Sequence, residues 1–219
     1  MNLGETFTWL ATHWAGPGGI GARLAQHLLL TLAVVAVAAI VALPLGVLIG
    51  HTHKGAAVVG ASVGAARAIP TLGLLTLFGL ALGIGLRAPV LALVILALPS
   101  LLAGAYAGVE TVPPAVVEAA RAVGLSETQI VWRVELPLGA PVIIGGLRAA
   151  TLQVVSTATL AAYIADTGLG RFLFIGLKSR DYAQMVGGAI LVIALALILE
   201  VTLAATQRLV SVHVTHPRQ

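Results

Sequence analysis

Five long apolar stretches, separated by short polar joints, constrain this chain more than any other feature of its sequence. Each has at least the roughly 20 apolar residues that a helix needs to cross the hydrocarbon core of a bilayer. They occupy residues 28–50, 56–85, 89–109, 137–164 and 183–206. Because hydrocarbon offers the backbone no hydrogen-bond partners, each stretch is predicted to be a membrane-spanning helix.

The composition agrees with a membrane protein. Of 219 residues, 59% are hydrophobic and only 9% are charged, whereas an ordinary soluble domain has about 25% charged residues. This excludes a soluble enzyme and a disordered chain, since too little polar surface is available to face water. The net charge of +4 is too small and too dispersed for nucleic-acid binding. With no cysteine present there is no thiolate ligand, and we predict neither a metal site nor a bound cofactor.

The second apolar stretch, residues 56–85, is unusual because it is about 30 residues long and contains Arg67 and Pro70. A proline inside a helix removes a hydrogen bond and clashes with the preceding turn. We therefore expect one long span broken at Pro70, or two half-helices that meet there. The predicted fold is an all-α integral membrane protein with five core spans. Its predicted parts are an extracytoplasmic or interfacial segment 1–27, one transmembrane domain 28–206 and a cytoplasmic tail 207–219.

The longest joint, residues 110–137, predicts two short helices on the membrane surface. Pro114 suits the first turn of a helix, and Gly124 suits its left-handed end. Ser126 and Gln129 then have the spacing of a capping box. The second helix is expected to end at Leu136-Pro137, where the next span begins.

The same joint carries a recognisable pattern: Glu118-Ala119-Ala120, then Gly124, Val134 and Leu136-Pro137. It resembles the EAA loop of ABC importer permeases, E-A-A-x3-G-x9-I-x-L-P, from which it departs only at Val134. The resemblance implies that two ATP-binding subunits, which hold ATP and Mg, dock on this loop. The implied coupling positions are Glu118, Ala119, Ala120, Gly124 and Leu125.

Further stretches are similar to one branch of these permeases, the importers of osmoprotectants such as glycine betaine, carnitine and choline. The stretches are Ile69-Pro70-Thr71-Leu72, Leu98-Pro99-Ser100-Leu101, Ala158-Thr159-Leu160-Ala161-Ala162, Gly168-Leu169-Gly170-Arg171-Phe172 and Arg180-Asp181-Tyr182. The resemblance implies a MetI-like fold, a second permease subunit, identical or paralogous, and an extracytoplasmic solute-binding protein. A methionine-type importer permease is the alternative of the same class. A stand-alone secondary carrier or channel is the alternative of another class.

The charges of the joints leave the orientation open, because five basic residues fall on each side of the predicted membrane. The resemblance implies a bacterial cell-membrane protein with a cytoplasmic EAA loop. The N-terminus would then be outside and the C-terminus cytoplasmic. On the outer side, the basic residues expected to dock the binding protein are Arg171, Lys178 and Arg180.

Polar residues inside spans are costly in lipid, so each suggests a function. The candidates for lining a solute pathway are Arg148, Thr151, Ser156, Thr159 and Arg67. The alternative for Arg148 is a polar contact between helices, or extension of its side chain toward the headgroups. Glu200 is expected to pair with an arginine of another helix. Phe78 is the one aromatic residue predicted near mid-membrane, which is too few for a cation-binding cage.

Glycines four residues apart recur in three predicted spans. The pairs are Gly46/Gly50, Gly60/Gly64, Gly79/Gly83 and Gly104/Gly108. Such pairs let helix backbones approach closely, so they predict a tightly packed bundle.

Overall fold

The computed structural model describes residues 3–215, without the side chains of Arg67 and of residues 213–215, and that part of the chain has no strand. Its helices are α1 Leu3–Thr12, α2 Ile20–Thr52, α3 Ala56–Ala68, α4 Thr71–Leu82, α5 Arg87–Glu110, α6 Pro114–Ala122, α7 Glu127–Ile130, α8 Leu136–Thr157, α9 Gly170–Ser179 and α10 Tyr182–Thr215. A π-helical segment, Val131–Glu135, joins α7 to α8, and a 3-10 segment, Ala158–Tyr163, follows α8. The predicted all-α membrane fold is confirmed.

Four helical stretches are long and apolar enough to cross a membrane, namely α2, α5, α10 and the continuous run from α7 to the 3-10 segment. The broken pair α3 and α4 qualifies as a fifth span. α2 begins eight residues before the predicted start at 28, and α10 continues to Thr215, past the predicted end at 206. Hydropathy marks only the lipid-facing part of a helix, whereas polar turns at its ends continue it wherever they find partners.

The break in the second span falls at Pro70, as predicted. α3 ends at Ala68, and extended Pro70, with φ −70° and ψ 114°, stands directly before α4. Proline lacks an N–H group, and it disfavours the helical conformation of the residue before it. The chain therefore ends one helix and starts another.

α2 and α5 run in the same direction where they pack together. A Cβ placed on Gly46 would lie 2.6 Å from the Cβ of Ala105, and one on Gly50 would lie 2.7 Å from the Cβ of Val109. Two parallel spans require the segment between them to return across the membrane once. This direction agrees with counting α3 and α4 together as one span, the fifth that length and composition allow.

Only some of the predicted glycine pairs mediate helix packing. A Cβ on Gly104 would lie 2.5 Å from the Cα of Gly146 in α8, and one on Gly108 would lie 3.0 Å from the Gly139 carbonyl oxygen. By contrast, a Cβ placed on Gly60 would meet no atom within 4 Å. The same is true of Gly64 in that pair. A Cβ on Gly79 would lie 2.9 Å from Cδ1 of Ile164, whereas one on Gly83 would meet no atom within 4 Å. Composition alone does not distinguish these cases.

The chain forms two compact units. The first comprises the chain up to Ala36, Ile69–Leu96 and Thr151–Leu199. Its hydrophobic cluster consists of Trp9, Ile20, Val155, Leu169, Phe172 and Leu195. The second unit comprises Val37–Ala68, Ala97–Ala150 and the chain from Glu200, and it holds the loop between α5 and α8.

Candidate coupling loop and polar sites

The first surface helix of the long loop, α6, ends as the sequence predicts. Gly124 has φ +87°, a conformation that costs glycine little. The Leu125 N–H donates to the Ala120 carbonyl at 3.1 Å, and the Gly124 N–H donates to the Arg121 carbonyl at 3.0 Å. This pair of bonds is a Schellman motif, which satisfies the last carbonyls of the helix.

The second surface helix, α7, begins with the predicted capping box. The Ser126 N–H donates to Gln129 Oε1 at 2.9 Å, and the Gln129 N–H donates to Ser126 Oγ at 3.4 Å. The predicted end at Leu136-Pro137 is wrong, because α7 continues through the π-helical segment into α8. The wider π turn directly precedes Pro137, which lacks the N–H needed for a regular helical bond.

The coupling positions implied by the resemblance differ in exposure. Glu118, Ala119 and Gly124 are exposed and Leu125 is half-buried. Ala120 is buried, so it supports the helix from beneath and presents no surface. The structure adds two large apolar side chains that sequence reasoning missed, Val123 at 78% and Trp132 at 69% exposure. Both side chains are therefore accessible for contact with a partner chain or with lipid.

Charged side chains connect the loop to the end of α2. Arg121 Nε donates to Glu127 Oε1 at 2.8 Å, and this hydrogen bond raises the pKa of the Arg121 guanidinium. His51 Nδ1 lies 2.9 Å from a Glu135 carboxylate oxygen, and His51 Nε2 lies 3.2 Å from Glu127 Oε2. Glu135 is buried. No local sequence pattern indicates this cluster, because His51 and Glu135 are 84 positions apart.

A cleft of about 210 Å³ opens beside this cluster. The polar side chains that line it are His51, His53, Glu110, Glu118, Arg121 and Glu135. His53 makes a separate contact with Glu110 at 3.2 Å, and its side chain is well exposed. Within residues 3–215, no group of three or more His, Asp and Glu side chains is arranged to hold a metal ion.

Glu200 pairs with Arg148 of α8, as predicted. Arg148 Nε donates to Glu200 Oε2 at 2.7 Å, and Arg148 Nη2 contacts the other carboxylate oxygen. Arg148 Nη1 donates to Gln207 Oε1 at 3.2 Å, and Gln207 Nε2 donates to the Pro141 carbonyl at 2.9 Å. This network binds α8 to α10, so the contact between helices is observed. A pathway role of Arg148 stays a prediction.

The other pathway candidates lie in varied surroundings. Thr151 is buried, Ser156 is exposed and Thr159 is half-buried. Ser156 Oγ donates to the Leu152 carbonyl at 2.9 Å, and Thr159 Oγ1 donates to the Ser156 carbonyl at 2.7 Å. These two hydroxyls are thus satisfied by backbone nearby in the chain. The side chain of Arg67 lies outside the described residues.

The three basic residues predicted to dock a binding protein all belong to α9 or its end. Arg171 and Lys178 line one cleft of about 730 Å³ together with Tyr163 and Phe174. The two aromatic rings lie 5.8 Å apart between centroids. Arg180 ends the helix in a left-handed conformation, with φ 60°. The structure therefore brings Arg171 and Lys178 to one cleft and leaves Arg180 beside it.

The turn before α9, residues 164–169, is held by polar side chains of α2. Arg23 Nη2 donates to Asp166 Oδ1 at 2.8 Å, and Arg23 Nη1 donates to the Asp166 carbonyl at 2.8 Å. His27 is fully buried. Its Nδ1 accepts the Leu169 N–H at 3.2 Å, so Nε2 carries the proton donated to the Val155 carbonyl at 2.9 Å. The sequence placed His27 before the first span, and this role was missed.

Comparison with known proteins defines the class of this helical bundle. Residues 42–214 match the family described as the inner membrane component of binding-protein-dependent transport systems. The chain belongs to this family, whose members are the permease subunits of ABC importers.

The relatives narrow the class further. The chain is 32% identical to the glycine betaine/carnitine/choline transport system permease protein OpuCB of Bacillus subtilis, over 95% of each chain. It is 36% identical to the carnitine transport permease protein OpuCB of Listeria monocytogenes, over 81% of this chain and 82% of the relative. The resemblance to osmoprotectant permeases is thereby confirmed.

Solved structures share the fold. A chain in an inward-facing structure of the MetNI methionine ABC transporter matches with a TM-score of 0.72 and 25% identity. The match covers 84% of this chain and 93% of that one. The MetI-like fold expected from the sequence is confirmed.

Proposed function

We propose that this chain forms the membrane pathway of an ATP-driven importer for small quaternary ammonium osmoprotectants, of the glycine betaine, choline and carnitine type. The observation that carries the proposal is its 32% identity, over 95% of both chains, to a permease named for these three solutes. The proposed complex contains two permease subunits, two ATP-binding subunits and an extracytoplasmic solute-binding protein. In the proposed orientation, the α6–α7 loop and the C-terminus are cytoplasmic.

Uptake into proteoliposomes tests the cargo and the energy source. The complete complex is expected to accumulate labelled glycine betaine, choline or carnitine and to ignore labelled methionine. Methionine uptake would favour the methionine-type alternative. Uptake that persists with hydrolysis-deficient ATP-binding subunits would favour a secondary carrier or channel.

The ATP-binding subunits are proposed to dock on the α6–α7 loop, and hydrolysis takes place on them. Support comes from the exposed side chains of Glu118 and Ala119, and from the exposed apolar side chain of Val123. Glu118→Lys, or Gly124→Pro, should leave membrane insertion intact and abolish solute-stimulated hydrolysis. Arg87→Glu, at an exposed residue outside the loop, is the charge-change control. Full coupling in either loop variant would refute the assignment.

The proposed orientation is open to a direct test, because the chain has no cysteine to give background labelling. A cysteine at Ser126 is expected to react only with a reagent added from the cytoplasmic side. A cysteine at Lys178 is expected to react only from outside. The opposite pattern would invert the topology.

Docking of the solute-binding protein is proposed at Arg171, Lys178 and Arg180. The cleft that Arg171 and Lys178 share combines positive charge with two aromatic rings, which suits an acidic partner surface. Lys178→Glu with Arg180→Glu should weaken binding of that protein about tenfold or more, most strongly at low salt. Arg87→Glu should leave it unchanged.

We further propose that the pathway binds its cargo weakly and that the binding protein selects the solute. Calorimetry of the purified permease alone should show no binding tighter than about 10 μM, or roughly −7 kcal/mol. Tighter binding of betaine, choline or carnitine would contradict this.

If Arg148 lines the pathway, Arg148→Ala should reduce transport more than assembly. Poor assembly with normal transport per complex would mean that Arg148 serves only the contact between α8 and α10.

A further inference from the structure

The penultimate residue of α2, His51, lies between two carboxylates of the coupling loop. The Glu135 oxygens are 2.9 and 3.0 Å from Nδ1, and Glu127 Oε2 is 3.2 Å from Nε2. The His51 side chain is 13% exposed and that of Glu135 is 5% exposed. A carboxylate accepts hydrogen bonds and donates none, so His51 donates from Nδ1 to Glu135, while Nε2 faces Glu127.

Each partner of His51 belongs to a different part of the loop. Glu127 begins α7, and Glu135 ends the π-helical segment that leads into α8. Arg121 of α6 holds Glu127 from its other side. Arg121, Glu127, His51 and Glu135 therefore form one continuous chain of polar contacts. Arg121–Glu127 and His51–Glu135 are hydrogen bonds, and His51–Glu127 is a contact between a ring nitrogen and a carboxylate oxygen. These contacts join both surface helices to the end of α2.

The burial of Glu135 makes this link stiff. A buried carboxylate without a partner is costly, so α2 cannot separate from the loop without exposing or stranding that charge. Contiguous networks of packed and hydrogen-bonded side chains can carry coupling between distant sites. A loop held to α2 only by exposed side chains would slide past it.

We propose that His51 is a positioning residue through which displacement of the coupling loop is transmitted to α2. The inference rests on the proposed coupling function of that loop. His51 keeps the end of α2 in register with α7 and the π-helical segment while the ATP-binding subunits move the loop.

The test uses the complete complex in proteoliposomes and measures basal hydrolysis, solute-stimulated hydrolysis and solute transported per ATP. His51→Gln should keep basal hydrolysis and lose about tenfold or more of the transport per ATP. The matched control is His53→Asn, two residues further along. Its single carboxylate contact is exposed, so this variant should behave as wild type. Wild-type coupling in His51→Gln, or equal loss in both variants, would overturn the proposal.

A second variant covers the case in which His51→Gln fails to assemble because Glu135 is left unpaired. His51→Leu combined with Glu135→Leu replaces the ion pair with apolar side chains, a change that is often tolerated. An assembled but uncoupled complex supports the proposal, and an assembled complex with wild-type coupling overturns it.

Spin labels at Thr52 and Thr128 add a readout that loss of stability alone would not move. The distance between them should stay fixed in the wild type when ATP is bound, and should broaden on ATP binding in His51→Gln. An unchanged distribution in the variant would count against transmission through His51.

If Glu118→Lys leaves coupling intact, the loop assignment fails. If Glu118→Lys uncouples the complex and His51→Gln does not, only this inference fails.

Discussion

Two polar connections in this protein, the α6–α7 loop and the turn at residues 164–169, are held in place by different means. The α6–α7 loop is built from local bonds, a Schellman motif at Gly124 and a capping box at Ser126. The turn is held by Arg23, Gln26 and His27, which bond to residues about 140 positions away. A locally built loop keeps its shape when it moves as a unit. A turn fixed by buried long-range bonds stays attached to its helix.

This difference fits the proposed division of labour. In this proposal the docking loop shifts with its partner, and its caps are local bonds, while His51 and the continuous helix into α8 link it to the spans. The turn before α9 has to present a steady surface, because the cleft lined by Arg171 and Lys178 follows it directly. The comparison predicts that substitutions at the turn destabilise the protein more than equivalent substitutions in the loop.

The largest effect is expected at Gly170, at the start of α9. A Cβ on this residue would overlap the Thr159 carbonyl oxygen, and backbone cannot move aside as a side chain can. Gly170→Val should lower the free energy of unfolding by about 4 kcal/mol. Heat denaturation in detergent, followed by size-exclusion chromatography, measures the loss. Gly60→Val, where a Cβ meets no atom within 4 Å, is the control, and equal losses in both would refute the steric explanation.

The next effect is expected at His27. His27→Leu leaves the Leu169 N–H and the Val155 carbonyl without their partner, and unsatisfied buried groups cost about 1–3 kcal/mol each. The unfolding free energy should fall by about 3 kcal/mol, and exchange of the Leu169 amide hydrogen should accelerate. His53→Asn serves as the control for loss of an exposed histidine. Unchanged exchange at Leu169 would show that the turn is held by other contacts.

A smaller effect is expected at Gly124, the glycine that ends α6. Gly124→Ala forces a Cβ into the left-handed conformation, which costs about 1–2 kcal/mol, although a Cβ there meets no atom within 4 Å. Faster amide exchange should be confined to α6 and α7, as measured by hydrogen exchange. Destabilisation that spreads to α9 would break the distinction between the two connections.

The smallest effect is expected at Ser126. Ser126→Ala removes the capping side chain and should cost about 1 kcal/mol. Ser126→Asp, which keeps an acceptor at the helix start, should retain most of the stability. A loss in Ser126→Asp as large as that in Ser126→Ala would mean that the cap is not the reason for the serine.

The sequence predicted those features whose cause lies within a few residues. The break at Pro70 follows from the covalent structure of proline, and the ends of α6 and the start of α7 follow from Gly124 and Ser126. The apolar spans follow from hydropathy, because a run of about 20 apolar residues is long enough to cross a bilayer whatever helices surround it. The EAA-like pattern was similarly local, and it led to the correct family.

Sequence reasoning failed where the outcome depended on a partner far along the chain. It placed His27 before the first span, because a histidine next to an apolar run looks like an interfacial residue until Val155 and Leu169 surround it. It ended α7 at Pro137, whereas the π-helical segment lets the helix continue. It also treated all four glycine pairs alike, although only a facing helix decides which of them pack.

By itself, therefore, the sequence determined the class of the protein, the order of its apolar helical stretches, and the local caps of the α6–α7 loop. Hydropathy, proline geometry and helix caps are properties of contiguous residues. Only the tertiary structure decided that His51 joins Glu135, that Arg148 joins Glu200, and that Gly104 lies against Gly146. Each of these contacts joins residues 42 to 84 positions apart, and helix packing alone selects which polar or small residues meet.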